Sequence, residues 1–268
     1  MKNTWKVAVT VAAAAFIGTA GSARADLTLN GETGMFINPT AQVVQKGHGE
    51  IGINYYRIAS GFGGKIDQYG IVGAASLTDR LELSGGIGRD QISGGGGSFT
   101  ATNSSFGLKY QIQNSAKDGY DLAIGGLTQN LNLAGIDLSD SVAYLTATKA
   151  FGHSENRSPI LATVGLRLDH IDLPFGAPFS DNQFSVYAGA QVPLAEGLNL
   201  IGEVGTKTYS LPGTKIPYAI GLRYSPKDKG FSISGGIQRS GLSTVSLFGP
   251  GGGSSNNFFL QAGYTFGK

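Results

Sequence analysis

The chain contains no cysteine, so neither a disulfide framework nor a cysteine-ligated metal site is available to it. Charged residues make up only 14% of its 268 residues, against roughly 25% in an ordinary soluble domain. Beyond the N-terminal region, no segment approaches the ~20 continuous apolar residues that a membrane helix needs. If the chain enters a membrane, it therefore does so as a β-barrel.

Catalytic motifs are missing as well. The sequence has no G-x-S-x-G elbow, no H-E-x-x-H helix and no G-x-x-x-x-G-K-[ST] loop. The run Gly61–Lys65 lacks the hydroxyl residue that must follow in a phosphate-binding loop. Of the three histidines, His48, His153 and His170, only the last has an adjacent acid, Asp169, and such a pair at a strand end is usually just solvated. We expect no enzymatic activity, no cofactor and no metal.

The N-terminus has the features of an export signal. Two lysines form a basic n-region, Val7–Ile17 is an apolar core too short to span a bilayer, and an Ala-Arg-Ala cleavage site ends at Ala25, before Asp26. We expect residues 1–25 to be a secretory signal peptide that is removed, rather than an uncleaved anchor. Its removal takes away three basic residues and no acid, so the formal charge falls from +2 by 3 to −1. Nucleic acid is therefore not an expected partner.

Glycine is abundant, with 43 residues, and alternation of apolar and polar side chains dominates the rest of the chain. Leu81, Leu83 and Ile87 fall on one face of a strand while Glu82 and Ser84 fall on the other. This pattern recurs about twelve times in segments of about nine to eleven residues, the length that a tilted strand needs to cross a bilayer. The predicted strands are Gly49–Arg57, Gln68–Leu77, Leu81–Asp90, Ser104–Gln113, Tyr120–Gln129, Ser141–Phe151, Ile160–His170, Gln183–Val192, Leu198–Thr208, Pro217–Ser225, Phe231–Arg239 and Asn257–Phe266.

The connections between these strands alternate in length. One set is compact and turn-like, as at Pro193–Gly197 and Pro226–Gly230, and the other is longer, as at Gln91–Asn103 and Ile171–Asn182. Short periplasmic turns opposite long outer loops are typical of outer-membrane barrels, and an even strand count returns both termini to the periplasm. We predict an all-β fold, a transmembrane antiparallel up-and-down β-barrel of about 12 strands over residues 48–268.

Three strands present clearly apolar faces, and in two of them aromatic residues lie at or near the ends of the face. These faces lie in Phe106–Ile112, Ile160–Leu168 and Tyr218–Tyr224, and we expect them to contact outer-membrane lipid. In Ser141–Phe151 neither face is clearly apolar, so its sidedness stays open. The strand count is open by two, because residues 130–140 and the segment before the barrel each have room for a short strand.

Charged residues on the opposite faces are expected inside the barrel, since a charge facing lipid costs about 2–4 kcal/mol at the membrane midplane. A symmetrical hairpin places Glu82 opposite Lys109. A second hairpin, centred on Gly213, places Glu203 opposite Arg223. We predict two cross-strand ion pairs, which either line a pore as selectivity groups or fill a narrow interior. The lumen-lining candidates are Glu82, Lys109, Arg167, Asp169, Glu203 and Arg223.

The last strand alternates in the manner of a C-terminal barrel strand. Phe258, Leu260, Tyr264 and Phe266 share one face. Outer-membrane barrels often finish on such an aromatic-tipped strand, which the barrel-assembly machinery recognises, although here two further residues, ending at Lys268, follow the last aromatic. We therefore expect that machinery as a partner.

Residues 26–47 form an irregular segment before the first strand. Pro39 removes a ladder donor and makes the preceding residue extended, which indicates a turn. The apolar run Met35–Ile37 argues against a disordered leader, because it would be left exposed. We expect this segment either to plug the lumen or to lie at the periplasmic mouth of the barrel.

The run Glu32–Ala41, followed by Gly47 and the strand Gly49–Tyr56, resembles the opening of the YjbH-like outer-membrane proteins, whose members begin with a Gly-Leu-Ile-Asn-x-Pro-Thr-Ala type run. Here Met35-Phe36 replaces the leucine, and the chain is much shorter than the long members of that family. The resemblance implies an outer-membrane barrel and a role linked to exopolysaccharide production. The motif residues are Gly34, Asn38, Pro39 and Thr40.

These features together predict a bacterial outer-membrane protein with both termini periplasmic and its long loops extracellular. The function that we expect is a narrow channel for small polar or saccharide solutes. The alternative is a structural or envelope-assembly barrel associated with exopolysaccharide production or secretion. The expected partners are outer-membrane lipid, the assembly machinery, and a small polar solute or polysaccharide.

Overall fold

Twelve antiparallel strands close into a single barrel in a computed structural model of the chain. The structure describes residues 26–59, 65–94, 97–114, 119–133, 136–152, 158–173, 179–206, 216–226, 229–239 and 256–267. The predicted signal peptide and His153 lie outside these ranges, as does most of the Gly61–Lys65 loop. Within them, no helix is long and apolar enough to cross a membrane.

The strands follow one another around the barrel in chain order. They are β1 (His48–Ala59), β2 (Lys65–Ser76), β3 (Leu81–Gly94), β4 (Gly97–Gln113), β5 (Asp121–Leu133), β6 (Ile136–Phe151), β7 (Ile160–Leu173), β8 (Phe179–Ala195), β9 (Leu198–Gly205), β10 (Tyr218–Tyr224), β11 (Phe231–Arg239) and β12 (Asn257–Gly267).

Pairing of the first strand with the last closes the barrel. Their register runs from His48 opposite Gly267 to Tyr56 opposite Phe259. Each of the twelve described strands therefore has a neighbour on both sides, and none of them has an open edge. The predicted all-β, antiparallel up-and-down barrel of twelve strands is confirmed.

Alternation along each strand separates an apolar exterior from a polar interior. In β4, Phe106, Leu108 and Tyr110 are exposed on the outer surface, while Lys109 and Gln111 between them are buried. Large apolar side chains are exposed in this way all around the barrel: Ile53, Ile87, Ile124, Leu145, Val164, Leu166, Leu168, Phe184, Val204, Ile220, Leu222, Ile233 and Leu260. Such a band is unfavourable in water and suits a lipid environment.

The sidedness of β6, which the sequence leaves open, is settled by its neighbours. Val142, Tyr144, Thr146 and Thr148 are buried in the interior, and Leu145 is exposed outside. The inward residues are mostly hydroxyl-bearing because they contact polar groups of the N-terminal segment, which is described below.

Several strands are longer than predicted at the end away from the short turns. β3 runs to Gly94 and β4 starts at Gly97, so the predicted loop Gln91–Asn103 is wrong. The predicted loop Ile171–Asn182 is likewise mostly strand in β7 and β8. Residues 130–140 extend β5 and β6 instead of adding a strand. The side chains in these strand extensions are mostly polar, and polar side chains do not interrupt the hydrogen bonds between backbones. The sequence pattern misses the extensions because it detects only the part of a strand that has an apolar face.

A tight turn between β8 and β9 illustrates the short connections. Only Glu196 and Gly197 lie between the strands, and Gly197 has a φ of +72°, which favours glycine. The carbonyl of Gly197 accepts a hydrogen bond of 2.7 Å from Ser225 N–H, which ties this turn to the end of β10.

We expect Leu166→Arg to lower the free energy of unfolding in lipid vesicles by about 2–4 kcal/mol, because Leu166 lies in the middle of the exterior apolar face. Denaturant titration of the vesicle-folded protein measures this loss. The matched control is Leu194→Arg, an exposed site beside the β8–β9 turn, where the expected loss is about 0–1 kcal/mol. Equal losses at the two positions would contradict a lipid-facing exterior.

Candidate functional site in the barrel lumen

Residues 26–47, which we call the plug, lie inside the barrel. Met35, Phe36 and Ala41 are almost completely buried, and so are Leu27 and Val44. Phe36 and Met35 share a cluster with inward-facing residues of β8, β9, β10 and β12, and Leu27 and Val44 pack against β2. The plug therefore occupies the lumen and contacts strands on all sides, which is one of the two placements expected from the sequence.

The plug is held in a compact coil by its own hydrogen bonds. Thr28 N–H donates to Glu32 O at 2.7 Å, and Leu29 N–H donates to Phe36 O at 2.8 Å. Gly31, between them, has a φ of +102°, and a Cβ at this position would lie 2.6 Å from the carbonyl oxygen of Gly85 in β3. Glycine at position 31 thus allows the coil to approach the barrel wall.

Glu203 of β9 binds the plug backbone as an acceptor of four hydrogen bonds. Its Oε1 accepts from the N–H groups of Phe36 at 2.9 Å and Ile37 at 2.8 Å. Its Oε2 accepts from Asn38 N–H at 3.0 Å and from Asn38 Nδ2 at 2.8 Å. Successive backbone N–H groups that converge on one anion form a nest. The plug thus provides the hydrogen bonds that the buried carboxylate cannot receive from water.

Arg223 of β10 binds the carbonyl side of the same segment. Nη1 donates to Gly34 O at 3.1 Å and to the Asp26 carboxylate at 3.2 Å. Nη2 donates to Met35 O at 2.8 Å and to Leu27 O at 3.3 Å. The guanidinium carbon also lies 5.3 Å from the centroid of the Phe36 ring, within the range of a cation–π contact.

Glu82 and Lys109 face each other across the β3–β4 ladder, in the register predicted from the sequence, and their charged groups are 3.2 Å apart. Both also bind the plug. Glu82 accepts hydrogen bonds from Thr33 N–H at 3.0 Å, from the Thr33 hydroxyl at 2.6 Å and from Val44 N–H at 2.9 Å. Lys109 donates to Thr33 O at 2.8 Å.

The second predicted ion pair is wrong. In the β9–β10 ladder Glu203 lies opposite Ala219, and Arg223 lies opposite Asn199, so the register differs by four residues from a hairpin centred on Gly213. An even shift keeps each side chain on the same face, and both still point into the lumen. Glu203 and Arg223 therefore do not pair with each other, and both bind the plug instead.

Glu32 contributes a carboxylate from the plug itself. It is buried and accepts a hydrogen bond of 2.5 Å from the Tyr144 hydroxyl of β6. Burial raises the pKa of Glu32 above its ordinary value, while the hydrogen bond from Tyr144 and the positive charge of Lys109 act against that rise.

Three of the four motif residues of the plug bind side chains of the barrel wall, and the fourth binds another residue of the plug. Gly34 O binds Arg223, the Asn38 amide binds Glu203, and the carbonyl of Pro39 accepts a hydrogen bond of 3.0 Å from the Tyr187 hydroxyl. Thr40 N–H donates to Thr33 O at 3.2 Å, inside the plug. Sequence reasoning singled out the motif and the lumen charges separately, and only the structure brings them together.

The lumen half beyond the plug, toward the longer connections, is polar and mainly acidic. Arg167 lies opposite Tyr144, at the boundary of the plug, and is hydrogen-bonded to Asp169 and 3.8 Å from the carboxylate of Asp140. Asp90, on β3, accepts a hydrogen bond from Asn103. Among the side chains described in this half, three inward carboxylates therefore face a single arginine.

Two of these carboxylates each have an oxygen with no bonding partner. Asp140 Oδ1 and Asp169 Oδ2 are buried and accept no hydrogen bond within the described structure. Such oxygens are ready acceptors for the hydroxyl or ammonium groups of a solute. No group of three or more potential metal ligands occurs in the described part of the chain.

Comparison with solved structures shows that the barrel is similar in fold to a porin. The NanC porin matches with a TM-score of 0.52 and 9% identity, over 81% of this chain and 99% of that one. The KdgM porin matches with a TM-score of 0.49 and 11% identity, over 80% and 99% of the two chains. The translocator domain of the autotransporter NalP from Neisseria meningitidis matches with a TM-score of 0.43 and 11% identity, over 98% and 94%. The likeness to NanC is one of fold.

No protein-family model matches the chain, and no curated protein matches it in sequence.

We expect Glu203→Ala to release the plug, because three backbone N–H groups and the Asn38 amide lose their acceptor. The expected loss in docking free energy is about 2 kcal/mol or more, the magnitude of hydrogen bonds to a charged group. The rate at which an added protease cuts the plug in the folded barrel measures the release. Glu196→Ala, at an exposed turn acid, is the control and should leave the plug protected. Unchanged protection in Glu203→Ala would refute the assigned role.

Proposed function

We propose that the chain is an outer-membrane channel for small polar or saccharide solutes, closed in the observed state by its own plug. The observation that supports this most is the polar interior beyond the plug, where Asp90, Asp140, Arg167 and Asp169 face inward. The buried charges near the short turns are compensated by hydrogen bonds with the plug, whereas charges beyond the plug favour a hydrated interior, because buried charges lose their hydration. Charged and hydroxyl-bearing residues are what a solute pathway requires.

The charge of this interior favours neutral or cationic solutes. Three carboxylates and one arginine give a net negative lumen in its described outer half, and Asp140 and Asp169 each offer an unpaired oxygen. A neutral saccharide can donate hydroxyl hydrogens to these oxygens, whereas an acidic saccharide is repelled. One structure of the KdgM porin contains oligogalacturonate, an acidic saccharide, and we propose a different solute preference for this chain.

The orientation that we propose follows from where the two ends of the barrel lie. His48 and Gly267 pair at the same end of the barrel as the short turns. This supports a periplasmic position for both termini and the plug, and an extracellular position for the longer connections. In β12, Phe258, Leu260 and Phe266 are exposed on the exterior, where the assembly machinery would meet them.

Removal of the plug should open the channel. We expect the refolded chain 26–268 to give small or rare conductance steps in planar bilayers and the chain 48–268, which begins at β1, to give larger and steadier ones that prefer cations. In the shortened chain, Asp169→Asn should reduce the cation preference, since it removes an inward charge. Liposome swelling should be faster with neutral than with acidic saccharides of equal size.

The control for both assays is heat-modifiable migration in gels, which shows that each variant is a folded barrel. Folded barrels that fail to conduct both with and without the plug would refute the channel proposal.

A structural or envelope-assembly role linked to exopolysaccharide is the second candidate. It is favoured by the plug itself, because the segment that carries the family resemblance, Glu32–Ala41, fills the lumen and is bound by Glu203 and Arg223. Deletion of the gene and measurement of surface polysaccharide test this role. Unchanged polysaccharide would count against it, and loss that is restored by the wild-type chain but not by Glu203→Ala would support it.

A further inference from the structure

The first described residue of the plug, Asp26, lies between two charged residues of the barrel wall. Its backbone nitrogen donates a hydrogen bond of 3.1 Å to Oε2 of Glu50 in β1. Its carboxylate lies 3.2 Å from Nη1 of Arg223 in β10. Glu50 is only 4% exposed, and among the described residues its side chain binds no other hydrogen-bond donor and forms no ion pair.

The charged groups around Glu50 are paired with one another rather than with Glu50. Asp26 of the plug, Glu82 of β3 and Arg223 of β10 are among the charged groups that interact electrostatically with Glu50, and Glu82 is itself paired with Lys109. Asp26 is paired with Arg223 and Glu82 with Lys109, whereas Glu50 has no cation paired with it among the described residues. A buried carboxylate without a compensating cation is strongly unfavourable, and a positive charge at the Asp26 nitrogen would stabilise an ionised Glu50.

Cleavage of the predicted signal peptide would supply that charge. Hydrolysis of the Ala25–Asp26 peptide bond consumes one water; Ala25 departs with a new carboxylate, and Asp26 is left with an α-ammonium group at neutral pH. The nitrogen that now faces Glu50 changes from a neutral amide with one N–H to a cation with three. With it, Glu50 gains a cationic partner, as Asp26 and Glu82 already have in Arg223 and Lys109.

We infer that the buried carboxylate of Glu50 is a binding site for the α-ammonium group of the mature N-terminus at Asp26. The barrel thereby distinguishes a processed chain from an unprocessed one, and the plug docks fully only after cleavage. Capture of an N-terminal amine is an established mode of peptide recognition, and a carboxylate is the natural acceptor for an ammonium group. This inference depends on cleavage after Ala25 and does not depend on whether the barrel conducts.

The test is a double-mutant cycle on the folded full-length barrel. One chain begins at Asp26 with a free amine, and the other has Gly-Ser added before Asp26; each is made with Glu50 and with Glu50→Gln. The rate of proteolytic cleavage within the plug is measured for all four. With Glu50 present, we expect the added residues to speed cleavage by about tenfold or more, the effect of losing a charge-assisted hydrogen bond.

In the Glu50→Gln background the same addition should have little further effect. Equal acceleration in both backgrounds would overturn the inference, because the two groups would then not interact. The matched control is Glu196→Gln, an exposed acid at the β8–β9 turn, which should keep the full dependence on the free amine.

A second measurement covers the case in which Glu50→Gln fails to fold. In the wild-type chain that begins at Asp26, the α-amine should react with an acylating reagent at least about tenfold more slowly when the barrel is folded than when it is unfolded. Equal reactivity would overturn the inference. So would a mass that shows a different N-terminus in protein isolated from membranes.

Discussion

Lipid offers no hydrogen bonds to a peptide backbone, and the pairing of β1 with β12 is what makes this chain compatible with it. Because that pairing closes the ladder, each strand is hydrogen-bonded on both sides and no edge is left. Closure also creates an interior separate from the exterior. Apolar residues such as Phe106 and Leu166 can then face outward while Lys109 and Arg167 on the same strands face inward.

Inside the barrel, the same requirement for hydrogen bonding applies to charged side chains, and the plug meets it. Glu203 accepts hydrogen bonds from plug N–H groups, and Arg223 donates to plug carbonyls. Neither the lumen charges nor the irregular plug backbone would be satisfied alone. Because plug and barrel share these hydrogen bonds, loss of one partner leaves buried polar groups unpaired in both the plug and the barrel wall. The plug is therefore a cooperative part of the barrel.

The plug also separates two roles that the lumen charges have. Glu82, Lys109, Glu203 and Arg223 bind plug groups and fill the half of the lumen near the short turns. Arg167 and Asp169 lie at and beyond its boundary, in the half that we propose as a solute pathway. Filling and selectivity are alternatives when the charges are considered together, and under the proposed function they belong to different ends of one interior.

The sequence by itself determined the twelve strands, the inward and outward faces of β3, β4, β7, β9 and β10, and the β3–β4 register that pairs Glu82 with Lys109, because side-chain alternation is a local property with a period of two. Only the tertiary structure decided the inward face of β6, the β9–β10 register and the position of the plug. Those depend on contacts between residues far apart in the chain: Tyr144 with Glu32, and Glu203 with Asn38. An even shift in register leaves every side chain on its face, so alternation alone cannot distinguish the two registers of Glu203.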